Sequence, residues 1–479
     1  MSNLLERTKL NFVQILPRSS QIQDSLYDIL KTTTMKNNYF VLLFLSAFQI
    51  GFTQTTFGNE QIIEGNKDFV RVHSGDIDGD GDQDVIAGSG ILKWYENDGT
   101  GKFISSRSID IQGALQTIYL TDLDGDNDLD ILCESRNMSD NKIVWFANDG
   151  RGNFSSEKII TNQVISTHCV YAADLDNDGD NDVLSASVID DKIAWYENEG
   201  NGNFSSQKII SSTVDGASTI YASDIDGDGD LDIIAGGAYD GSICWFENID
   251  GKATFGSKKI ISGASQLQFA YTADLDNDGD QDIYFAALMY GEIGWIRNNG
   301  NGNFSTINLI DYESKATDVF AQDIDNDGDL DIISSADNGN LSWFENNGLG
   351  EFGEQIIISD TNNRSVYSTD LNGDGKYDIL TASFYAKRVS WYENKGFLQT
   401  NESTSKTSIL IYPNPTKNIL NILSDEKIET IEIINSSGQK ILNFYNVNKI
   451  DISNLTYGIY FIKIRDNIGN ITIKKIQKQ

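Results

Sequence analysis

The sequence predicts an all-β chain, a seven-bladed β-propeller closed by an N-terminal strand and followed by a small C-terminal β-sandwich. Three observations carry that prediction. An acidic nonapeptide recurs seven times at intervals of 46 to 52 residues, beginning at Asp76, Asp122, Asp174, Asp224, Asp274, Asp323 and Asp370. The seven tryptophans of the chain, Trp94, Trp145, Trp195, Trp245, Trp295, Trp343 and Trp391, fall once per repeat. After the last repeat the acidic loops stop, and short apolar runs separated by polar turns take over.

At the N-terminus, Met35 to Gln54 reads MKNNYFVLLFLSAFQIGFTQ: a lysine, a mostly apolar run from Tyr39 to Phe48, then small or polar residues. That is the pattern of a secretory signal peptide. The run is short for a membrane-spanning helix, which needs about 20 residues. Residues 1–34 would bury the signal inside the chain, so they read as an upstream extension with translation starting at Met35. The mature chain is expected from residue 55, with no membrane span once the signal is removed.

The nonapeptide carries the chemistry. In the first copy, DIDGDGDQD, carboxylates stand at positions 1, 3, 5 and 9 (Asp76, Asp78, Asp80 and Asp84), and Asp82 at position 7 offers its backbone carbonyl. A hard divalent cation takes about six to eight oxygens, which a short loop supplies when alternate side chains converge and a glycine at position 6 permits a sharp turn. The same frame gives Asp122, Asp124, Asp126, Asp128 and Asp130; Asp174, Asp176, Asp178, Asp180 and Asp182; and Asp224, Asp226, Asp228, Asp230 and Asp232. It continues with Asp274, Asp276, Asp278, Asp280 and Asp282; Asp323, Asp325, Asp327, Asp329 and Asp331; and Asp370, Asn372, Asp374, Lys376 and Asp378. An EF-hand is excluded, because it needs a bidentate Glu at position 12 and the residues there are Ala87, Cys133, Ser185, Ala235, Phe285, Ser334 and Thr381. Apolar, β-branched flanks place each loop between two strands.

Beyond the loop, every tryptophan is followed three residues later by asparagine, then by a Gly/Asn turn and a strand expected to open at Phe103, Phe154, Phe204, Phe255, Phe304 and Phe352. Four short strands in about 50 residues make one propeller blade. The last repeat lacks its Phe strand, whereas FGNEQII at Phe57 to Ile63 matches FGEQIII at Phe352 to Ile358. The N-terminal strand is therefore expected to complete the last blade and cover an open sheet edge. A tryptophan at one strand position in every blade reads as inter-blade core rather than as a sugar platform. Tyr119, Tyr171, Tyr221, Tyr271, Phe320 and Tyr367 each precede a loop by three residues, and His73 holds that place in the first repeat as a substituted core aromatic.

Residues 55–397 thus resemble the FG-GAP or VCBS repeats of integrin-α-type propellers. The resemblance implies Ca2+ at positions 1, 3, 5 and 9 of each loop, about seven ions in all. Asn127 replaces the position-6 glycine of the second loop, which asparagine tolerates because it enters left-handed conformations. Asn372 and Lys376 weaken the seventh loop, which is expected to lose its ion first.

Charge and composition narrow the function. The formal net charge of -35 leaves no basic stripe for phosphate, so nucleic acid is not an expected partner. Cys133, Cys169 and Cys244 are odd in number and unpatterned, hence expected as buried free thiols. His73 and His168 are the only histidines, His168 is expected in a variable connection, and no nucleophile and base recur together, so acyl-transfer chemistry is not expected.

Residues 398–406 read as a linker and 407–479 as a separate sandwich with basic excess. YPNPTKNILNI, the turn around Gly438 and Gln439, IDISNL and YGIYFIKI with its basic tail resemble the C-terminal sorting domain of the type IX secretion system of Bacteroidetes. That resemblance implies recognition by the outer-membrane translocon and a secreted or cell-surface product. The function expected is a non-enzymatic adhesion or recognition module for a glycan or protein. The alternatives are a polysaccharide lyase and a structural spacer. The variable connections, carrying Arg136, Met138, Asp190, Tyr239, Tyr290, Asp337, Tyr385 and Lys387, are the expected ligand face, because binding concentrates on variable loops of a rigid scaffold.

Overall fold

A computed structural model describes residues 55–397 and 409–478, except 112, 138–140, 265, 314, 338, 413–415, 425–426, 436–439 and 468–470. The expected upstream extension, signal peptide and linker, with Met138 and the Gly438–Gln439 turn, lie outside the described residues. Every element described is a β-strand, and no helix among the described residues is long and apolar enough to cross a membrane.

Seven four-stranded antiparallel sheets follow one another along the repeat region in a propeller arrangement. The third is typical: Thr167–Ala173, Asp182–Ser187, Lys192–Tyr196 and Lys208–Ser211 pair in chain order. Its second strand, DVLSAS, is buried at all six positions, whereas its fourth, KIIS, is half-buried with one residue exposed. That difference explains the sequence: inner strands sandwiched between neighbouring sheets must be small and apolar on both faces, and rim strands alternate.

The seventh sheet closes as its sequence demands. Ser365–Thr369, Asp378–Ser383 and Arg388–Tyr392 take Gln61–Gly65 as their fourth strand, with Gln61 opposite Trp391 and Gly65 opposite Arg388. Phe57 lies edge-on to Trp343 at 6.4 Å, the contact that Phe204 makes with Trp145 and Phe304 with Trp245. The first and seventh sheets share one core, in which Phe69, Val72 and Val85 meet Leu380, Val389 and Trp391.

All seven tryptophans are buried between sheets. The turn of the following sheet presses on them: a Cβ at Gly202, whose φ is 67°, would stand 2.3 Å from the Trp145 ring. Only glycine fits there. The residues three before each loop line the centre as a tier of aromatic rings, His73 standing 4.4 Å from Tyr367 and Tyr171 4.5 Å from Tyr221. Beside them lies a cavity of about 490 Å3, crossed by a buried ion pair between Arg71 Nη1 and Asp318 Oδ2 at 2.7 Å. The three cysteines are buried and free.

Two expectations need correction. Only Phe103 opens a fourth strand; Phe154 precedes a strand that begins at Lys158, while Phe204, Phe255, Phe304 and Phe352 form single bridges to the asparagine after the tryptophan and their strands begin at Lys208, Lys259, Asn308 and Ile356. In the second, third and fifth sheets a serine hydroxyl enters the ladder, Ser155 Oγ accepting the Ala147 N–H at 3.0 Å, Ser205 Oγ the Glu197 N–H and Ser305 Oγ the Arg297 N–H at 3.1 Å, whereas Gly256 and Gly353 hold that place in the fourth and sixth. Such local side-chain bonds compete with strand pairing. His168 lies within the inner strand Thr167–Ala173 rather than in a connection, its Nδ1 2.9 Å from the Ser218 carbonyl.

The C-terminal region forms two sheets, Ile409–Tyr412, Ile419–Ser424 and Lys449–Asp451 in one, Lys440–Tyr445, Ile428–Asn435, Gly458–Asp466 and Ile471–Lys478 in the other. Leu420, Ile422, Ile450, Ile431, Ile433, Ile462 and Ile476 from both sheets make one core. Deleting residues 55–65 should strip the rim strand from the seventh sheet and expose the Trp391 edge. The expected result is aggregation or a large drop in melting temperature, read by calorimetry and size-exclusion chromatography.

Candidate metal loops

Each acidic loop is a hairpin connection whose last residue, position 9, opens the second strand and pairs with the residue before position 1: Gly75 with Asp84, Ala173 with Asp182, Ala273 with Asp282. Position 6 is left-handed, as at Gly81 with φ 96°, and Asn127 adopts φ 70° there as the sequence allowed. Turning the chain this way aims successive N–H groups inward, at the loop's own carboxylates.

The bonds repeat from loop to loop. The position-6 N–H donates to Oδ2 of the position-1 aspartate at 2.8 to 3.0 Å. The position-7 N–H donates to Oδ1 of the position-5 aspartate at 3.0 to 3.1 Å. Position 9 is different. Its Oδ2 accepts the position-2 N–H at 2.9 to 3.3 Å. Its Oδ1 accepts the backbone N–H of the asparagine after the tryptophan at 2.7 to 2.8 Å.

That asparagine reaches further. Its Nδ2 donates to the position-2 carbonyl of the preceding sheet's loop at 2.7 to 2.9 Å, Asn148 to Ile77, Asn198 to Leu123, Asn248 to Leu175, Asn298 to Ile225, Asn346 to Leu275 and Asn394 to Ile324. Asn97 closes the circle by donating to Leu371 of the seventh loop at 2.8 Å. Loop, third strand and neighbouring sheet are one hydrogen-bonded unit.

The carboxylates converge. Single oxygens of Asp76, Asp78 and Asp80, of Asp122, Asp124 and Asp130, and of Asp174, Asp176 and Asp182 lie within 4.8 Å of one another, as do those of Asp224, Asp226 and Asp228 and of Asp274, Asp276 and Asp282. In five loops the position-3 oxygen Oδ1, on Asp78, Asp124, Asp176, Asp226 and Asp276, is buried with no hydrogen-bond partner. A desolvated carboxylate oxygen is costly unless a cation or donor meets it. These donor sets therefore fit a hard divalent ion. In the sixth loop Asp325 Oδ1 takes the Asp327 N–H at 3.2 Å, and in the seventh Asn372 Oδ1 takes the Asp374 N–H at 3.0 Å while Lys376 Nζ sits 2.6 Å from Asp374.

Burial, and then the neighbouring position-5 carboxylate, raises the pKa of Asp78, Asp124, Asp176 and Asp226. Burial pushes position 9 up to about 7 in Asp84, Asp130, Asp182, Asp232, Asp282 and Asp378, against the pull of the N–H donors. Asp331 rises to about 8 for the same reason.

On the opposite face the candidate residues separate. Tyr239, Tyr290, Tyr385 and Lys387 are exposed, whereas Arg136 and Asp190 are half-buried and Asp337 is buried, 3.6 Å from Arg364. Ile189, Met289 and Phe384, missed because isolated apolar residues in loops carry no pattern, stand exposed on the same connections.

Sequence comparison matches the FG-GAP-like repeat model to residues 76–133, 135–185, 174–235, 224–285, 274–334 and 323–381. The model described as a secretion system C-terminal sorting domain matches residues 410–479. No curated protein matches the chain. Among solved structures, BBS1N in complex with ARL6DN superposes at TM-score 0.51 with 11% identity, covering 71% of this chain and 97% of that one. An Agrocybe aegerita lectin that recognises non-reducing terminal N-acetylglucosamine gives 0.49 with 19% identity, covering 67% and 86%. The first of these likenesses concerns the fold alone.

With metal chelated, the native chain binds more protons than the unfolded one between about pH 4 and 7, so its stability should rise as pH falls through that window. With calcium bound the slope should reverse, because protons compete for the ligands. Melting curves across that range in chelator and in calcium check both signs. Asn248→Ala should cost about 1–3 kcal/mol by leaving the buried Leu175 carbonyl unpaired, whereas Asn203→Ala in an exposed turn should be nearly neutral in chemical denaturation.

Proposed function

The chain belongs to the FG-GAP-like repeat family, and we propose that it is a calcium-stabilised recognition module, exported by the type IX route, that binds a glycan or protein ligand through the face opposite its metal loops. The observation that carries the reading is a set of exposed apolar side chains on the second-to-third strand connections. Ile189 is 64% exposed, Tyr239 67%, Met289 59%, Tyr290 62% and Tyr385 56%. Large exposed apolar groups repeated on the same connection of four sheets favour a binding role. A structural spacer would have no use for them.

The lyase alternative needs a free cation beside a base. Lys387 and Arg388, the adjacent basic pair of these connections, are engaged instead, Lys387 with Asp68 at 3.2 Å and Arg388 with Glu60 at 2.7 Å. The C-terminal sorting domain supports export through the type IX translocon, with Met35 to Gln54 as the signal peptide for the first membrane.

A glycan and matrix-protein array probed with the secreted chain, with product release assayed alongside, tests the function. Binding lost in the Tyr239→Ala/Tyr290→Ala/Tyr385→Ala triple variant without a change in melting temperature is the expected result. Product release would favour the enzyme, and no binding at all the spacer. A chain ending near Asn401 should stall in the periplasm of a Bacteroidetes host while the full chain reaches the surface or medium, as read by fractionation and mass spectrometry of the termini.

A further inference from the structure

The residue between each tryptophan-bearing strand and its clasp asparagine lies beside the metal loop. It is acidic in five sheets (Glu96, Glu197, Glu247, Glu345 and Glu393), Ala147 in the second and Arg297 in the fifth. Glu96, Glu197, Glu247 and Glu345 add negative charge near the position-3 aspartates Asp78, Asp176, Asp226 and Asp325, and in the third and fourth sheets a lysine offsets it, Lys208 on Glu197 and Lys259 on Glu247, each at 2.6 Å. The fifth sheet reverses the sign. Arg297 Nε stands 2.8 Å from Asp276 Oδ2 and its Nη2 2.8 Å from Asp278 Oδ2.

The guanidinium fork thus spans positions 3 and 5, two of the carboxylates that a divalent ion would need. Asp276 is nearly sealed from solvent, its side chain 3% exposed, whereas the Arg297 side chain is 43% exposed and has water to swing into. Other basic groups near the loops do less: Lys158 Nζ remains 3.9 Å from Asp124, and Lys376 meets the single carboxylate of Asp374. Nη2 hydrogen-bonds Asp278, whereas Nε meets Asp276 as a close charge contact without hydrogen-bond alignment, and an incoming ion must displace both.

We propose that Arg297 is a built-in cation for the fifth loop, holding Asp276 and Asp278 in place of a divalent ion, so that this repeat keeps its fold without calcium and takes calcium up more weakly than the others. The fifth loop, rather than the seventh, is then the site of lowest affinity. This inference rests on reading the other loops as calcium sites.

Calcium bound to the full secreted chain is counted by native mass spectrometry and equilibrium dialysis, for the wild type, Arg297→Glu and Arg297→Gln. At a free calcium concentration that saturates the tighter sites, each variant should hold one ion more than the wild type, with at least a tenfold gain in affinity for that ion in Arg297→Glu. In excess chelator Arg297→Gln should melt lower than the wild type, and added calcium should remove the difference. Equal ion counts and equal affinities in all three proteins overturn the role of Arg297 and leave the calcium reading standing. No ion bound to any of them overturns both. Arg297→Gln removes the charge and the reach of the guanidinium without adding a carboxylate, so the comparison holds even where Arg297→Glu fails to fold.

Discussion

The buried position-9 aspartate is the constraint on which the propeller depends. One of its oxygens holds the start of its own loop, and the other holds the third strand through the backbone of the clasp asparagine. The side chain of that asparagine then grips the previous loop, from Asn97 on Leu371 around to Asn394 on Ile324. Loop geometry is thereby written into the angle between sheets. A carboxylate held this deep has a raised pKa through burial, so the unliganded loop stores unfavourable electrostatics that a cation relieves.

This coupling divides the labour between the two faces. On the loop face, position and spacing cannot vary without breaking a hydrogen bond to the next sheet, which accounts for seven nearly identical nonapeptides. The opposite connections bond to neighbouring connections mainly through backbone groups, as Val188 N–H does to the Ser166 carbonyl and Leu288 N–H to that of Gln266, and their side chains differ in charge and apolar content. A rigid ring that presents divergent loops is suited to recognition. The N-terminal rim strand belongs to the same logic, since Gln61–Gly65 removes the edge that would otherwise leave the ring open.

Most of the architecture was legible in the sequence because it is periodic. A residue that recurs at one place in every repeat announces a shared environment, which is how the tryptophans, the aromatic tier with His73 and the match of Phe57 to the fourth strands could be read. What was not legible depended on contacts across the repeat. The spacing showed Phe204 and Phe304 as strand starts, yet could not show that Ser205 and Ser305 would insert hydroxyls into the ladder. Asp337 looked like a loop carboxylate, and only the fold brings Arg364 to it. The position-9 aspartate looked like one ligand among four; its second task, bracing the clasp asparagine, appears only when the third strand is laid beside the loop. Arg297 broke the pattern at a single position, which a search for repeats passes over.

The link between metal and ring is tested most directly by hydrogen exchange with mass spectrometry on the secreted chain, in saturating calcium and in excess chelator. Removing calcium should speed exchange in the loops and equally at the clasp asparagines and the position-2 amides that bond to position 9, while the strands of the C-terminal sandwich stay unchanged. Faster exchange confined to the loop tips, or none at all, would contradict the coupling of loop to ring.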